Sequence, residues 1–256
     1  MIKTFIELAK LGMATPRELF PHLPEYSRGL PALTQKDCDT SCRACAAICP
    51  TAAIRVEEEG LPERVTLDLG RCISCGDCID ACPTGTITQN RRTKVAVRRR
   101  EELVLSNKPR EAISEAAKAP APFQRSLHVR EVSTGDNASD MEVQAACNPI
   151  FDAGRFGIHF VASPRYADTL LITGPVAKAM QEPLRRCYEA MASPKLVIAA
   201  GAAAISGALF SGGYADANGV DRILPVAVYI PGNPPHPWYL IHGLLLAMGH
   251  RLSDVP

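Results

Sequence analysis

The cysteines constrain the fold of this 256-residue chain more than any other feature. Eight of the ten lie between Cys38 and Cys82, whereas only Cys147 and Cys187 occur elsewhere. The eight form two runs, and the Cys-x2-Cys-x3-Cys-Pro end of the first run recurs 33 residues later in the second. Fixed-period recurrence indicates an internal structural repeat. The uneven distribution predicts two domains, of which the first is built on the repeat.

The second run resembles the bacterial two-cluster ferredoxins, whose cysteine spacing it shares. In such proteins three thiolates of one run bind one [4Fe-4S] cluster and the fourth binds the other. The resemblance implies two [4Fe-4S] clusters and these ligand sets: Cys38, Cys42, Cys45 and Cys82 for cluster 1; Cys72, Cys75, Cys78 and Cys49 for cluster 2.

Two alternatives for the cysteines fit less well. Disulfides are rare in a reducing cytoplasm, and four-cysteine runs that end in proline do not have zinc-site spacing. The first run has one departure, because three residues instead of two separate Cys38 from Cys42. We expect this extra residue to bulge the first ligand loop without removing a ligand.

The rest of the chain has a different pattern. Apolar runs of strand length alternate with helical stretches: "FGIHFVA", "DTLLIT", "KLVIAAG" and "ILPVAVYI" with "PVAKAMQEPLRRCYEAM" and "PWYLIHGLLLAMGH". This alternation is typical of a parallel α/β sheet. We therefore predict an α+β ferredoxin-like two-cluster domain over residues 1–105, a linker with one short helix over 106–125, and a mostly parallel α/β domain over 126–256.

Three segments bear on partners and membranes. The start of the chain predicts an amphipathic helix, with Lys3 and Lys10 beside an apolar face that fits a core or partner groove or a membrane surface. Six basic residues in 91–100 fit either a solvated edge or a site for a partner or anionic lipid. Residues 196–215 carry no charge, but their glycine and alanine content favours a buried strand entering a loop over a membrane span.

A longer resemblance joins the two halves. The first, with its lead-in "YSRGLPAL", resembles the two-cluster ferredoxin subunits of formate hydrogenlyase and complex I. The second, from "RSLHVREV" to "DRILPVAVYIPGNPPHP", resembles the small subunit of group 4 [NiFe] hydrogenases and the B-type subunit of complex I. The chain is thus similar to a fusion of two neighbouring subunits.

The resemblance also predicts that the second domain has lost the ligands of a cluster. The small subunits bind another [4Fe-4S] cluster through four cysteines in three loops. Here the first two positions correspond to Asp136 and Ser139, or to Asn137 and Asp140 in a shifted alignment, and the remaining two to Ala203 and Asn233. Alanine cannot bind iron, and the others are hard or weak donors. We expect no cluster in the second domain.

The other residues that could bind a metal or take part in catalysis are interpreted mainly as structural. Cys147 and Cys187 are expected to be small hydrophobic residues rather than ligands. His159, within an apolar strand pattern, is expected to be buried, whereas His236 and His242 at the last helix fit either a structural or a functional role. No residue is assigned as a general acid or base, so the chain is interpreted as a non-catalytic electron-transfer subunit.

The resemblance implies a peripheral position on the cytoplasmic face of the inner membrane, beside a large-subunit or D-type homologue and membrane-arm subunits related to antiporters. The near-neutral charge of +1 argues against nucleic-acid binding. Two functions compete: an electron-transfer and docking subunit, and a structural scaffold in a complex that no longer performs hydrogen or quinone chemistry through this chain. A free ferredoxin would leave the α/β domain unexplained.

Overall fold

The computed structural model describes residues 2–12, 18–38, 42–56, 65–107, 123–135 and 137–250. The cysteine-rich half contains short elements around two small antiparallel sheets. The elements of this half are α1 (Ile2–Leu11), β1 (Leu30–Leu33), α2 (Ala44–Ile48), β2 (Ile54–Val56), β3 (Val65–Asp68), α3 (Asp77–Asp80), β4 (Ile87–Asn90) and β5 (Val104–Ser106). One sheet pairs β1 with β4, and the other has three strands in the order β2-β3-β5.

The second half is an α/β unit with one five-stranded sheet, in which every pair of neighbouring strands is parallel. The elements of this half are β6 (Leu127–Ser133), α4 (Ser139–Ala146), β7 (Ile158–Phe160), β8 (Thr169–Thr173), α5 (Gln181–Glu189), β9 (Leu196–Ala200), α6 (Ala202–Ser206), β10 (Val228–Ile230) and α7 (Pro237–Ala247). The strand order in the sheet is β10-β9-β8-β6-β7.

Strands β8 and β9 are largely apolar and buried because helices and loops cover both faces of the sheet there. All residues of β8 are buried, as are all residues of α7. Helix α7 packs on β10 at Gly243, where an added Cβ would collide with the side chain of Ile230. A continuous apolar core therefore lies on the side of the sheet that α7 covers.

The two halves are joined by the segment that follows β4. Val97 forms an antiparallel bridge with Tyr229 on β10. The neighbouring Ala96 N-H donates to Nδ1 of His242 on α7 at 3.0 Å, and Phe20 from the first half stacks edge-to-face on Trp238. The segment thus covers the outer edge of β10 and packs against the last helix.

The predicted fold class is confirmed, with small antiparallel sheets in the cysteine region followed by a parallel α/β unit. The α/β sheet contains the four predicted strands and a fifth, β6, which the strand prediction did not name. Residues 196–215 form β9 and α6 instead of a membrane span. None of the helices in the described ranges has the length and apolar character that crossing a bilayer requires.

Helix α1 exists as predicted, and none of its residues is buried. Its large apolar side chains are exposed: Ile2, Phe5, Ile6, Leu8 and Leu11. The structure thus does not place this apolar face in the core of the chain. The predicted linker over 106–125, with its one short helix, lies mostly within residues 108–122, which are outside the described part of the chain.

Candidate iron-sulfur centres

The first predicted ligand set comes together between the loop before α2 and the turn before β4. Cys45 lies buried on α2, whereas Cys38, Cys42 and Cys82 are half-buried. Burial raises the pKa of the Cys45 thiol, and the nearby Cys38, Cys82 and Cys42 raise it further. Residues separated by more than thirty positions in sequence are therefore close enough to interact electrostatically.

The second predicted set lines a single concavity. Cys49, Cys72, Cys75 and Cys78 face about 340 Å³ of empty space, part of which opens to solvent. The remaining wall is largely apolar and includes Pro31, Ile54, Leu67 and Ile73.

The protein environment strongly raises the pKa values of two thiols in this second set. Burial raises the pKa of Cys72 to about 11 and that of Cys78 to about 12. Cys49 and Cys75 add to both shifts, because additional thiolates repel the charge. Four thiolates so close together need a positively charged group to compensate them, which an iron-sulfur core provides.

Backbone N-H groups point at several sulfur atoms. Ala53 N donates to Cys49 Sγ at 3.3 Å, and Ser74 N donates to Cys72 Sγ at 3.4 Å. Burial of Cys82 raises its pKa, but hydrogen bonds from Ile87 and the Thr84 region outweigh this effect and lower the pKa. Such bonds stabilise thiolates and tune the potential of iron-sulfur clusters.

The donor set therefore fits iron-sulfur clusters. All eight donors are cysteines, the second set surrounds a concavity, and N-H groups approach the sulfurs. Within the described residues, no group of three or more His, Cys, Asp or Glu side chains could hold a single metal ion.

A second group of residues meets where the parallel strands end. The loops after β6, β9 and β10 converge at the carboxyl edge of the sheet, the usual ligand position in open α/β folds. Asn137 Nδ2 donates to Asn233 Oδ1 at 3.4 Å, so two positions predicted from the resemblance are in contact. Asp136 lies outside the described residues.

Ser139 and Ala203 lie at the same edge. Ser139 is fully buried, and its Oγ has no hydrogen-bond partner in the described part of the chain. It lies beside Gly201, where an added Cβ would be 3.2 Å from the Ser139 Oγ and 3.4 Å from the carbonyl of Gly232. Ser139 therefore points toward the loops that carry Ala203 and Asn233.

The cysteine-rich half covers this edge. Ile73, which follows Cys72, packs on a small buried cluster of Ala202, Ala203 and Ala208. Ser206 Oγ on α6 donates to the carbonyl of Gly70 at 2.8 Å. The loop that carries the second ligand set thus lies directly on the loop that carries Ala203.

The three histidines named in the sequence analysis have different environments in the structure. The expectation that His159 is buried is wrong, because β7 is an edge strand and His159 is exposed on it. His236 caps α7 by accepting from Trp238 N, and burial lowers its pKa to about 4. His242 is fully buried, accepts from Ala96 N, and has a pKa lowered to about 4 by burial.

The two remaining cysteines lie apart from both ligand sets in sequence and in their contacts. Cys147 is exposed just after α4, and its Sγ lies 3.5 Å from the carbonyl of Val143. Cys187 is half-buried on α5 and packs against the core. Their positions agree with their interpretation as small hydrophobic residues.

Sequence reasoning missed an ion pair next to the second ligand set. Arg100 and Asp68 form two hydrogen bonds, of 2.8 and 2.6 Å, at the end of β3. The basic run of residues 91–100 was the available signal, but it gave no indication of a partner 32 residues away.

Comparison with known proteins agrees with this arrangement. Residues 37–86 match the family described as a 4Fe-4S dicluster domain, and residues 137–247 match the family described as the 20 kDa subunit of NADH ubiquinone oxidoreductase. The chain therefore carries a dicluster domain for two [4Fe-4S] clusters, followed by a domain of the 20 kDa subunit type.

Individual relatives match about half of the chain. A probable membrane-bound hydrogenase subunit of Pyrococcus furiosus is 44% identical over 125 residues, which is 48% of this chain and 75% of that protein. The chain belongs to the family of the 20 kDa subunit of NADH ubiquinone oxidoreductase.

Two further proteins are similar over about half of this chain. Formate hydrogenlyase subunit 7 of Escherichia coli is 44% identical over 128 residues, which is 50% of each protein, so the chain spans about half the length of that relative. A solved chain of the archaeal membrane-bound sulfane sulfur reductase has a TM-score of 0.46 and 28% identity, covering 52% of this chain and 76% of that one.

Proposed function

We propose that this chain is an electron-transfer and docking subunit of a membrane-bound complex related to group 4 hydrogenases and complex I. Two [4Fe-4S] clusters in the first half supply one-electron transfer, and the second half docks the chain in the complex. The observation that carries the proposal is the concavity lined by Cys49, Cys72, Cys75 and Cys78.

The ligand sets follow the crossed pattern of the two-cluster ferredoxins. Cluster 1 takes Cys38, Cys42, Cys45 and Cys82; cluster 2 takes Cys72, Cys75, Cys78 and Cys49. The electrostatic neighbours of Cys45 and Cys78 support this assignment, because the thiols that most affect each one belong largely to its own set.

The second half, in contrast, holds no cluster. Its cysteines are Cys147, at the C-terminal end of α4, and Cys187 on α5, whereas the loops of the carboxyl edge meet where Asn137 contacts Asn233. The Asn137 contact and the packing of Ile73 on small alanines occupy the edge that a cluster would need. The loss at Ser139, Ala203 and Asn233 therefore separates this chain functionally from subunits that bind a cluster there.

The proposed domains are 1–105 for the dicluster part, 106–125 for the linker and 126–256 for the α/β part. The names of the relatives support a membrane-bound assembly of the hydrogenase type. A large-subunit or D-type homologue and antiporter-related membrane subunits are the partners that we propose within it. The exposed apolar face of α1 supports a peripheral contact of the chain with that assembly or its membrane.

A scaffold without electron transfer is the second candidate. It is favoured by the missing ligands at the carboxyl edge, which remove the usual route out of the dicluster region. It predicts that the assembled complex keeps both its composition and the reduction of its downstream acceptor when the clusters of this chain are removed by cysteine substitutions. The electron-transfer function predicts that the same complex loses the reduction of its downstream acceptor.

Iron analysis tests the empty second half. The purified chain is expected to contain about eight iron atoms, four for each cluster. A variant with Asp136→Cys, Ser139→Cys, Ala203→Cys and Asn233→Cys should gain a third cluster and approach about twelve. The single change Asn233→Cys is the control and should stay near eight. A native chain with about twelve, or a cluster signal lost on changing Asn233→Ala, would contradict the proposal.

A further inference from the structure

The ion pair of Arg100 and Asp68 is bidentate and partly shielded from solvent. Arg100 Nη1 donates to Asp68 Oδ1 at 2.8 Å, and Nη2 donates to Oδ2 at 2.6 Å. The two side chains are 22% and 20% exposed. A bidentate, charge-assisted contact of this kind holds both charges in one geometry, and the limited exposure weakens their screening by salt.

Asp68 organises the turn that leads from β3 into the second ligand set. Its Oδ1 also accepts from Gly70 N at 2.9 Å, and its carbonyl accepts from Arg71 N at 3.1 Å. Cys72 follows at once, with its N-H directed at the carbonyl of Leu69. The Asp68 carboxylate therefore lies in the same hydrogen-bonded turn as Cys72.

Arg100 contacts the same turn from the other side. A Cβ added at Gly70 would lie 2.7 Å from the guanidinium carbon of Arg100, so the guanidinium packs directly against the backbone of Gly70. The carbonyl of Gly70 accepts from Ser206 Oγ on α6 at 2.8 Å. The pair is therefore fixed between β3, the Cys72 turn and the α/β half.

We propose that Asp68 and Arg100 set the reduction potential of the cluster that Cys72 binds, with Arg100 compensating the carboxylate. This inference rests on the proposed assignment of Cys72 as a ligand of cluster 2. Reduction adds negative charge to a cluster, so a fixed carboxylate nearby opposes it and a fixed guanidinium favours it. Neither residue is a ligand, so both act on the cluster only through the electrostatic field of their charges.

Redox titration of the full-length chain, followed by electron paramagnetic resonance, tests the proposal. In Arg100→Gln the uncompensated carboxylate should lower the potential of cluster 2. In Asp68→Asn the uncompensated guanidinium should raise it. The double variant should return close to the native potential, because both charges are removed. Cluster 1 serves as the internal reference in every titration, and iron is counted in each sample.

The matched control is Arg100→Lys, which keeps the positive charge and loses the bidentate geometry. Its potential should lie nearer to that of the native chain than to that of Arg100→Gln. Shifts of the same sign in both single variants, or unchanged potentials with iron retained, would overturn the proposal. If Arg100→Gln loses iron, the near-isosteric Asp68→Asn decides the question alone. A shift confined to the other cluster would instead refute the ligand assignment of Cys72.

Discussion

Val97 and Tyr229 exchange two backbone hydrogen bonds, of 3.0 and 2.8 Å, and so join the segment after the cysteine region to the outer edge of β10. An uncovered edge strand would offer its N-H and C=O groups to other chains. Here the first half covers that edge, and Arg98 adds a 2.7 Å bond to the carbonyl of Leu246 on α7. The cysteine region is thereby held in a defined position relative to the α/β sheet.

The crossed ligand sets make a specific prediction about serine variants. Cys82→Ser should alter the spectrum of the cluster bound by Cys38, Cys42 and Cys45, whereas Cys49→Ser should alter the other, because each lies among thiols of the opposite run. Electron paramagnetic resonance of the reduced protein checks this. The controls Cys147→Ser and Cys187→Ser should leave both spectra and about eight irons unchanged. Iron lost in either control would refute their assignment as non-ligands.

The contact between Ser206 and Gly70 is expected to limit movement of the cluster 2 loop. Ser206→Ala removes a 2.8 Å hydrogen bond, and we expect a loss of about 1 kcal/mol. Hydrogen exchange of the amides in 68–74 should become faster. The matched control is Ser211→Ala, whose hydroxyl contacts Asn218 in an exposed loop and should leave these amides unaffected. Equal exchange in both variants would contradict the role of Ser206 at the junction.

Gly243 is expected to be intolerant of a side chain although it lies within α7. Alanine normally favours a helix over glycine by about 1 kcal/mol. In Gly243→Ala, however, the new methyl group collides with Ile230 on β10, and overpacking of this kind costs about 1 to 3 kcal/mol. Denaturant unfolding followed by circular dichroism should therefore show a net loss. Gly154→Ala is the control, because its nearest neighbour is a side-chain oxygen 3.7 Å away. A stabilised Gly243→Ala variant would show that α7 can move away from β10.

Local sequence patterns predicted the parts of the fold that depend on short-range spacing. The cysteine runs predict both ligand sets because each run provides most of one set within a few residues. Buried strands such as β8 were recognisable because parallel strands covered on both faces are largely apolar. The prediction for His159 failed because the position of a strand at the edge of a sheet is a tertiary property that its own sequence does not encode.

The basic run illustrates the same limit. Residues 91–100 were open to interpretation as a solvated edge or as a partner site, yet Arg98 and Arg100 contact Leu246 and Asp68 within the chain. Their partners lie 148 and 32 residues away in sequence. Charge patterning alone does not identify partners at such separations, since it records composition and not contacts.

His242 makes stability depend on pH. Its pKa falls from 6.5 to about 4 because it is buried, so the unfolded chain binds the proton more tightly than the folded chain does. The contribution of His242 to the free energy of unfolding should therefore be constant above pH 6.5. It should decrease by about 3 kcal/mol as the pH falls toward about 4. In His242→Asn the amide oxygen can still accept from Ala96 N without titrating, which should flatten this part of the curve.

Denaturant unfolding between pH 7.5 and 4.5 measures the slope, and His22→Asn at an exposed position is the control that should keep the native slope. An unchanged slope in His242→Asn would show that other groups dominate the acid sensitivity.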